Sequence, residues 1–165
     1  SMDERAAAAQ KQISVQLQRR ADLVPNLVNT VKGFAAQEAE VFETVAKARA
    51  GLAGAVSGGN VTEMANANQQ LTGALGRLLA ISENYPQLKS DQNFLRLQDE
   101  LTGTENRIAV ARTDYNGAVQ EYNAYIRRFP AVMTAKVTGA KSRDYFDVTN
   151  PGAREAPKVD FTKKP

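Results

Sequence analysis

Three long stretches of this chain place apolar residues at alternating steps of four and three, and that spacing decides what the chain can fold into. From Ile13 the steps land on Ile13, Leu17, Arg20, Val24, Leu27, Val31, Phe34, Glu38, Val41, Val45, Ala48, Leu52 and Ala55, with only Arg20 and Glu38 breaking the stripe. From Val61 they land on Val61, Met64, Asn68, Leu71, Leu75, Leu78, Ser82 and Tyr85. From Phe94 they land on Phe94, Leu97, Leu101, Thr104, Ile108, Ala111, Tyr115, Ala118, Tyr122, Tyr125 and Phe129. Such a repeat keeps one seam of an α-helix against a neighbour over many turns. No stretch before the tail shows the period-two alternation of a strand. The expected fold class is all-α, an elongated antiparallel up-down bundle of three long helices.

The punctuation fits this division. Gly51–Asn60, GLAGAVSGGN, holds four glycines and predicts a helix stop and a loop. Tyr85-Pro86 and Phe129-Pro130 each end a helix, because the residue before proline is driven out of the α region. Ser90 or Asp91 then caps the third helix. Ala131 to Val137 adds a short helix before Gly139, and an extended tail follows. Pro25 sits inside the first pattern. Either the helix kinks near Ala21–Pro25, or it breaks there, Asp22 caps a new helix, and the bundle has four helices. At ~1.5 Å per residue the three helices measure ~64, ~37 and ~57 Å. An extended Tyr85–Ser90 would return the chain over ~20 Å, leaving the first and third helices parallel. That register sets Glu38 level with Arg112, as an ion pair on the seam.

Missing residue types exclude much chemistry. The 165 residues contain no His, Cys or Trp. That removes Ser-His-Asp and Cys-His catalysis, thiol nucleophiles, zinc knuckles and the Glu-x-x-His pairs of di-metal bundles. No enzyme activity, cofactor or metal is expected. The net charge of +3 is uneven: residues 1–133 carry 14 basic and 14 acidic groups, and residues 134–165 carry seven and four. A neutral body speaks against nucleic acid, and the basic tail is a solvated segment or a weak attraction to anionic lipid. Ser1-Met2 has the look of a vector-derived remnant. Residues 3–138 form the bundle, and 139–165 a basic tail packing on it or trailing from it.

Polar residues on or beside the seams are the candidate sites. Arg19, Arg20 and Asp22 form an ion-pair cluster near Pro25, or else the arginine stems cover apolar surface with their heads in water. Glu38, Glu105, Arg107 and Arg112 could make an interhelical network that sets register. Tyr115-Asn116 and Tyr122-Asn123 repeat at seven residues. Their rings would pack between helices, and the Asn amides would bridge to a neighbouring helix backbone or to Asn26. The alternative is a polar groove for a peptide or small ligand.

Taken in order, these motifs resemble the LemA family of bacterial membrane-anchored proteins. The resemblance rests on Gln16–Lys32 (QLQRRADLVPNLVNTVK), Glu83–Lys89 (ENYPQLK), Phe94-x-x-Leu97-Gln98, Glu105–Ile108, Ala111-Arg112, Tyr115-Asn116, Tyr122-Asn123, Phe129-Pro130, Gly139, Tyr145-Phe146 and Pro157–Phe161. It spans roughly residues 13–161. Two positions depart from it: Gln37 stands where a His is common, and Ala140 where an aromatic is common. The resemblance implies a helical bundle behind one N-terminal transmembrane helix, which would lie just upstream of Asp3, since no apolar run here is long enough to span a bilayer. It implies a membrane location, with a lean to the extracytoplasmic side because Asp3 and Glu4 bring no Lys/Arg excess. The partner expected is another membrane or envelope protein. Self-assembly through the long seam is a third reading.

Overall fold

The structure is a computed structural model that describes residues 2–128, 139 and 141–148. Every regular element among them is helical: α1 Met2–Ala35, α2 Ala39–Gly58, α3 Val61–Ile81, a single turn α4 Pro86–Lys89, and α5 Gln92–Arg127. The chain is an all-α bundle as expected, but with four long helices. The proposed short helix at Ala131–Val137 and the tail beyond Val148 lie outside the described residues.

The extra helix arises at a different place from the one suspected. α1 runs unbroken through Pro25, and the chain turns instead at Ala36–Glu38. A single helix from Ile13 to Ala55 would have no neighbour for much of its stripe. Folding α2 back on α1 buries Phe42, Val45 and Leu52 in the same core as Leu17, Val24 and Val31. Pro25 has a part in that docking. It has no N–H for the carbonyl of Ala21, and the Nε of Arg49 on α2 donates to that carbonyl at 2.9 Å. The proline thus leaves an acceptor that α2 fills. In a double-mutant cycle, Arg49→Met should cost about 1 kcal/mol with Pro25 present. It should cost less than half of that in a Pro25→Ala background, where the helix satisfies its own carbonyl. Equal costs in urea denaturation would refute the link.

The predicted Gly51–Asn60 loop is also helix, up to Gly58. Only Gly59 leaves it, at φ 75°, in the left-handed conformation that glycine adopts at little cost. Asn60 then caps α3 by accepting the Glu63 amide at 2.9 Å. At the other end Pro86 opens the turn α4, so Tyr85–Ser90 is not extended. Asp91, rather than Ser90, caps α5 by accepting from the Phe94 amide at 3.0 Å.

Cross-links give the topology. Asn93 donates to Thr30 at 2.9 Å, Arg107 to Gln16 at 3.0 Å and Arg5 to Glu121 at 2.6 Å. α5 therefore runs antiparallel to α1 along its length. The expected parallel arrangement is wrong because the fourth helix reverses the direction once more. α1 and α5 are ~51 and ~54 Å long, against ~30 Å for α2 and α3. The α2–α3 hairpin covers only part of the long pair, and its Gly59 turn meets Gln10 at 3.2 Å. Beyond that turn the segment 141–148 lies against α5 and buries Phe146 in the core.

Candidate functional site

Two polar constructions depart from an ordinary apolar bundle. The first is Arg20. Its residue on the α1 seam faces both α3 and α5, and only 1% of it is exposed. Its Nη1 donates to the Asn68 side-chain oxygen and to Thr72 Oγ1 (2.9 Å), and its Nη2 to Glu105 Oε1 (2.9 Å). One guanidinium thus joins three helices, a task that suits its flat, multi-donor fork. Its Nε is buried with no partner. Burial pulls the guanidinium below its ordinary pKa, and Glu105 acts against that. Beside this cluster lies a groove of about 430 Å³ lined in part by Arg20, Asn68, Thr72, Glu105, Arg112 and Phe146. A second groove, about 480 Å³, lies between Gln16 on α1 and Arg107 and Val110 on α5.

The second construction holds segment 141–148. Asn123 accepts the Arg143 amide at 2.8 Å and donates to the Arg143 carbonyl at 3.1 Å. Asn116 accepts the Phe146 amide at 3.0 Å and donates to its carbonyl at 3.5 Å. Between them Tyr115 donates to the Asp144 carbonyl at 2.9 Å. The spacing has a simple origin. Seven helical residues rise ~10.5 Å, and three extended residues cover ~10 Å. Asn116 and Asn123 therefore meet the backbone of residues n+3 and n of a strand running the opposite way. The side chains are fixed separately: Arg143 pairs with Asp3 at 2.7 Å and lies over the Tyr122 ring at 5.8 Å. Arg112 sits over Phe146 at 6.0 Å and 3.7 Å from Asp147.

Burial raises the Tyr115 pKa above 10, with Arg143 pulling it partly back. The neutral phenol is the form the folded state favours. Its contribution is complete below pH 10 and is lost as pH climbs through the raised value, because the unfolded chain gives up this proton first. Held segment 141–148 should loosen in that alkaline window, with faster proteolysis at Lys141 and Arg143. Tyr115→Phe should remove the pH dependence, and an unchanged profile would count against the assignment.

The remaining sequence candidates are dispersed. Arg19 and Asn26 are exposed, and Asp22 is exposed and accepts from Gln18 at 2.9 Å. The Arg19–Arg20–Asp22 cluster does not form. The head of Arg20 is not in water either. Glu38 lies in the α1–α2 turn, and its expected partner Arg112 meets Asp147 instead, a consequence of the antiparallel register. Glu105 reaches Arg20, whereas Arg107 reaches Gln16. The two Asn amides bridge to segment 141–148, neither to a helix nor to Asn26. Asn68 and Thr72 were missed. Asn68 had a signal: it is the polar position on the α3 stripe, as Arg20 is on that of α1.

Among the described residues no group of His, Cys, Asp or Glu could hold a metal ion, and no helix is long and apolar enough to cross a membrane. The comparison with protein families is decisive, since the LemA family model matches residues 9–161. The chain belongs to the LemA family. Three curated relatives are similar over 88% of the chain. The magnetosome proteins MamQ 2 and MamQ 1 of Paramagnetospirillum magneticum are 31% identical, and the magnetosome protein MamQ of Magnetospirillum gryphiswaldense is 30% identical. The alignment covers 62% of each relative's length, so this LemA chain spans about three-fifths of them.

Proposed function

We propose that this LemA-family domain is a non-catalytic helical scaffold or adaptor, held at a membrane by the family's N-terminal transmembrane helix and engaging another membrane or envelope protein. The observation that carries the reading is the family match over nearly the whole bundle, with magnetosome proteins among the relatives. The architecture suits the role. Arg20 locks three helices into one register, a use of buried charge better attested than catalysis in helical assemblies. A slight lean to the extracytoplasmic side rests on the lack of a Lys/Arg excess at residues 3–10. Proximity crosslinking with the membrane-anchored protein is the test. One specific membrane or envelope neighbour is the expected result, and no neighbour above background counts against the scaffold reading.

A second reading has its own support. The Tyr-Asn face of α5 binds an extended segment through five hydrogen bonds, which is the chemistry of a peptide site. A synthetic peptide of residues 141–148 should bind a Phe146→Ala/Arg143→Ala chain, in which that face is vacated. A flat titration would remove this reading.

A further inference from the structure

We propose that the α5 asparagine clamp is an exchange site, in which segment 141–148 of a second copy of this chain replaces the copy's own and links the two molecules. The inference rests on the peptide-site reading and names the occupant. Three observations carry it. First, Asn116 and Asn123 contact only the backbone of Phe146 and Arg143, so a strand is accepted whichever molecule supplies it. Second, the side chains that complete the fit are matched to this segment alone. Arg143 finds Asp3 and the Tyr122 ring, and Phe146 enters the core under Arg112. An identical copy brings both in register. Third, the connection is far longer than the intramolecular path needs. Arg143 is bonded at the level of Asn123, four residues before the end of α5 at Arg127, which is a helical rise of only ~6 Å. Between Arg128 and Lys141 the chain has 12 residues, able to reach ~40 Å. A contour of that length is enough to span to a neighbouring copy with α5 intact. Exchange of identical elements is a low-cost route to dimers.

The two modes compete on concentration. A segment joined to its own body is held there at an effective concentration of about millimolar. The exchanged form therefore gains ground when copies are crowded, as on a membrane surface. Reciprocal exchange gives a closed dimer with two clamps filled.

The test mixes two full-length variants. Asn116→Ala/Asn123→Ala keeps the segment and disables the clamp. Phe146→Ala/Arg143→Ala keeps the clamp and disables the segment. Each alone should sediment as a monomer, and an equal mixture near millimolar concentration should give a 1:1 complex. A mixture that stays monomeric overturns the proposal. If the free 141–148 peptide still binds the second variant in that case, the peptide site survives and only the exchange fails. A second measurement leaves the Phe146 anchor and both clamp asparagines in place. The chain has no cysteine, so Asp3→Cys and Arg143→Cys chains can be mixed and joined by a short bis-maleimide. Linked dimers that increase with concentration are expected. Their absence, while the doubly substituted chain closes within itself, also overturns the proposal.

Discussion

Arg20→Ala should lower the unfolding free energy by about 3 kcal/mol, equivalent to a fall of ~6–12 °C in Tm for a domain of this size. Two losses add. The substitution opens a cavity where α1, α3 and α5 meet. It also strips donors from Asn68, Thr72 and Glu105. The figure sits at the low end for a broken buried pair, because the Glu105 side chain is 51% exposed and can return to water. Arg20→Met separates the two losses. Methionine refills most of the space and removes the buried Nε that has no partner, but it too leaves Asn68, Thr72 and Glu105 without their donor. Because Glu105 is half-exposed and can return to water, a cost of about 1 kcal/mol is expected. Arg20→Lys should fall between them, since a single ammonium cannot span both α3 and α5 in the manner of the fork. Urea denaturation of the three variants gives the order directly. If methionine cost nothing, the three-helix cross-link would contribute nothing to stability.

The helical class and the seams were legible because amphipathic periodicity is local. The first seam was interrupted only by Arg20 and Glu38, and both interruptions carried structural meaning. Glu38 marks where the chain turns, and Arg20 marks where polar partners on two other helices must meet it. Sequence spacing alone could not tell these apart, since a stripe that stays in phase looks alike in one long helix and in a hairpin. What decided between them is tertiary: a ~64 Å helix would leave apolar surface uncovered, and a fold-back covers it. Pro25 was the misleading signal. A missing N–H can end a helix, but it can equally leave a carbonyl for a neighbour, and Arg49 supplies the donor.

The α5 seam shows a second limit. Steps of four and three average 3.5 residues, whereas an α-helix turns every 3.6, so the buried line drifts by ~20° per heptad. The stripe holds from Phe94 to Ala118, after which burial moves by one residue to Val119, Asn123 and Ile126. Tyr125 is consequently 48% exposed, and Asn123 is buried. The drift converts a flanking amide into an inward one. The 3,4 count had placed both Asn beside the seam, so their partner could not be read from it. That partner lies 20 to 30 residues away in sequence and has no helical pattern of its own.

Phe146→Ala should detach segment 141–148 while leaving the helices folded. Truncating a fully buried Phe within a rigid core costs about 3–5 kcal/mol. Phe146 is 3% exposed, yet it is carried by segment 141–148 and not by one of the helices. The loss cannot exceed the free energy with which the segment docks, because beyond that point the segment simply departs. Hydrogen exchange separates the two outcomes. The amides of Arg143 and Phe146, held by Asn123 and Asn116, should exchange at least ~100-fold faster, the kinetic equivalent of losing ~3 kcal/mol of local protection. Amides in the middle of α1 and α5 should remain strongly protected, and Tm should fall by no more than the ~6–12 °C that a loss of ~3 kcal/mol of docking allows. Asn123→Ala should act in the same direction but less strongly, with a ~10-fold increase, because it removes hydrogen bonds and leaves the Phe146 anchor in place. Protection lost throughout α1 and α5 as well would mean that the segment is an inseparable part of the core, and a clamp that cannot open cannot be exchanged.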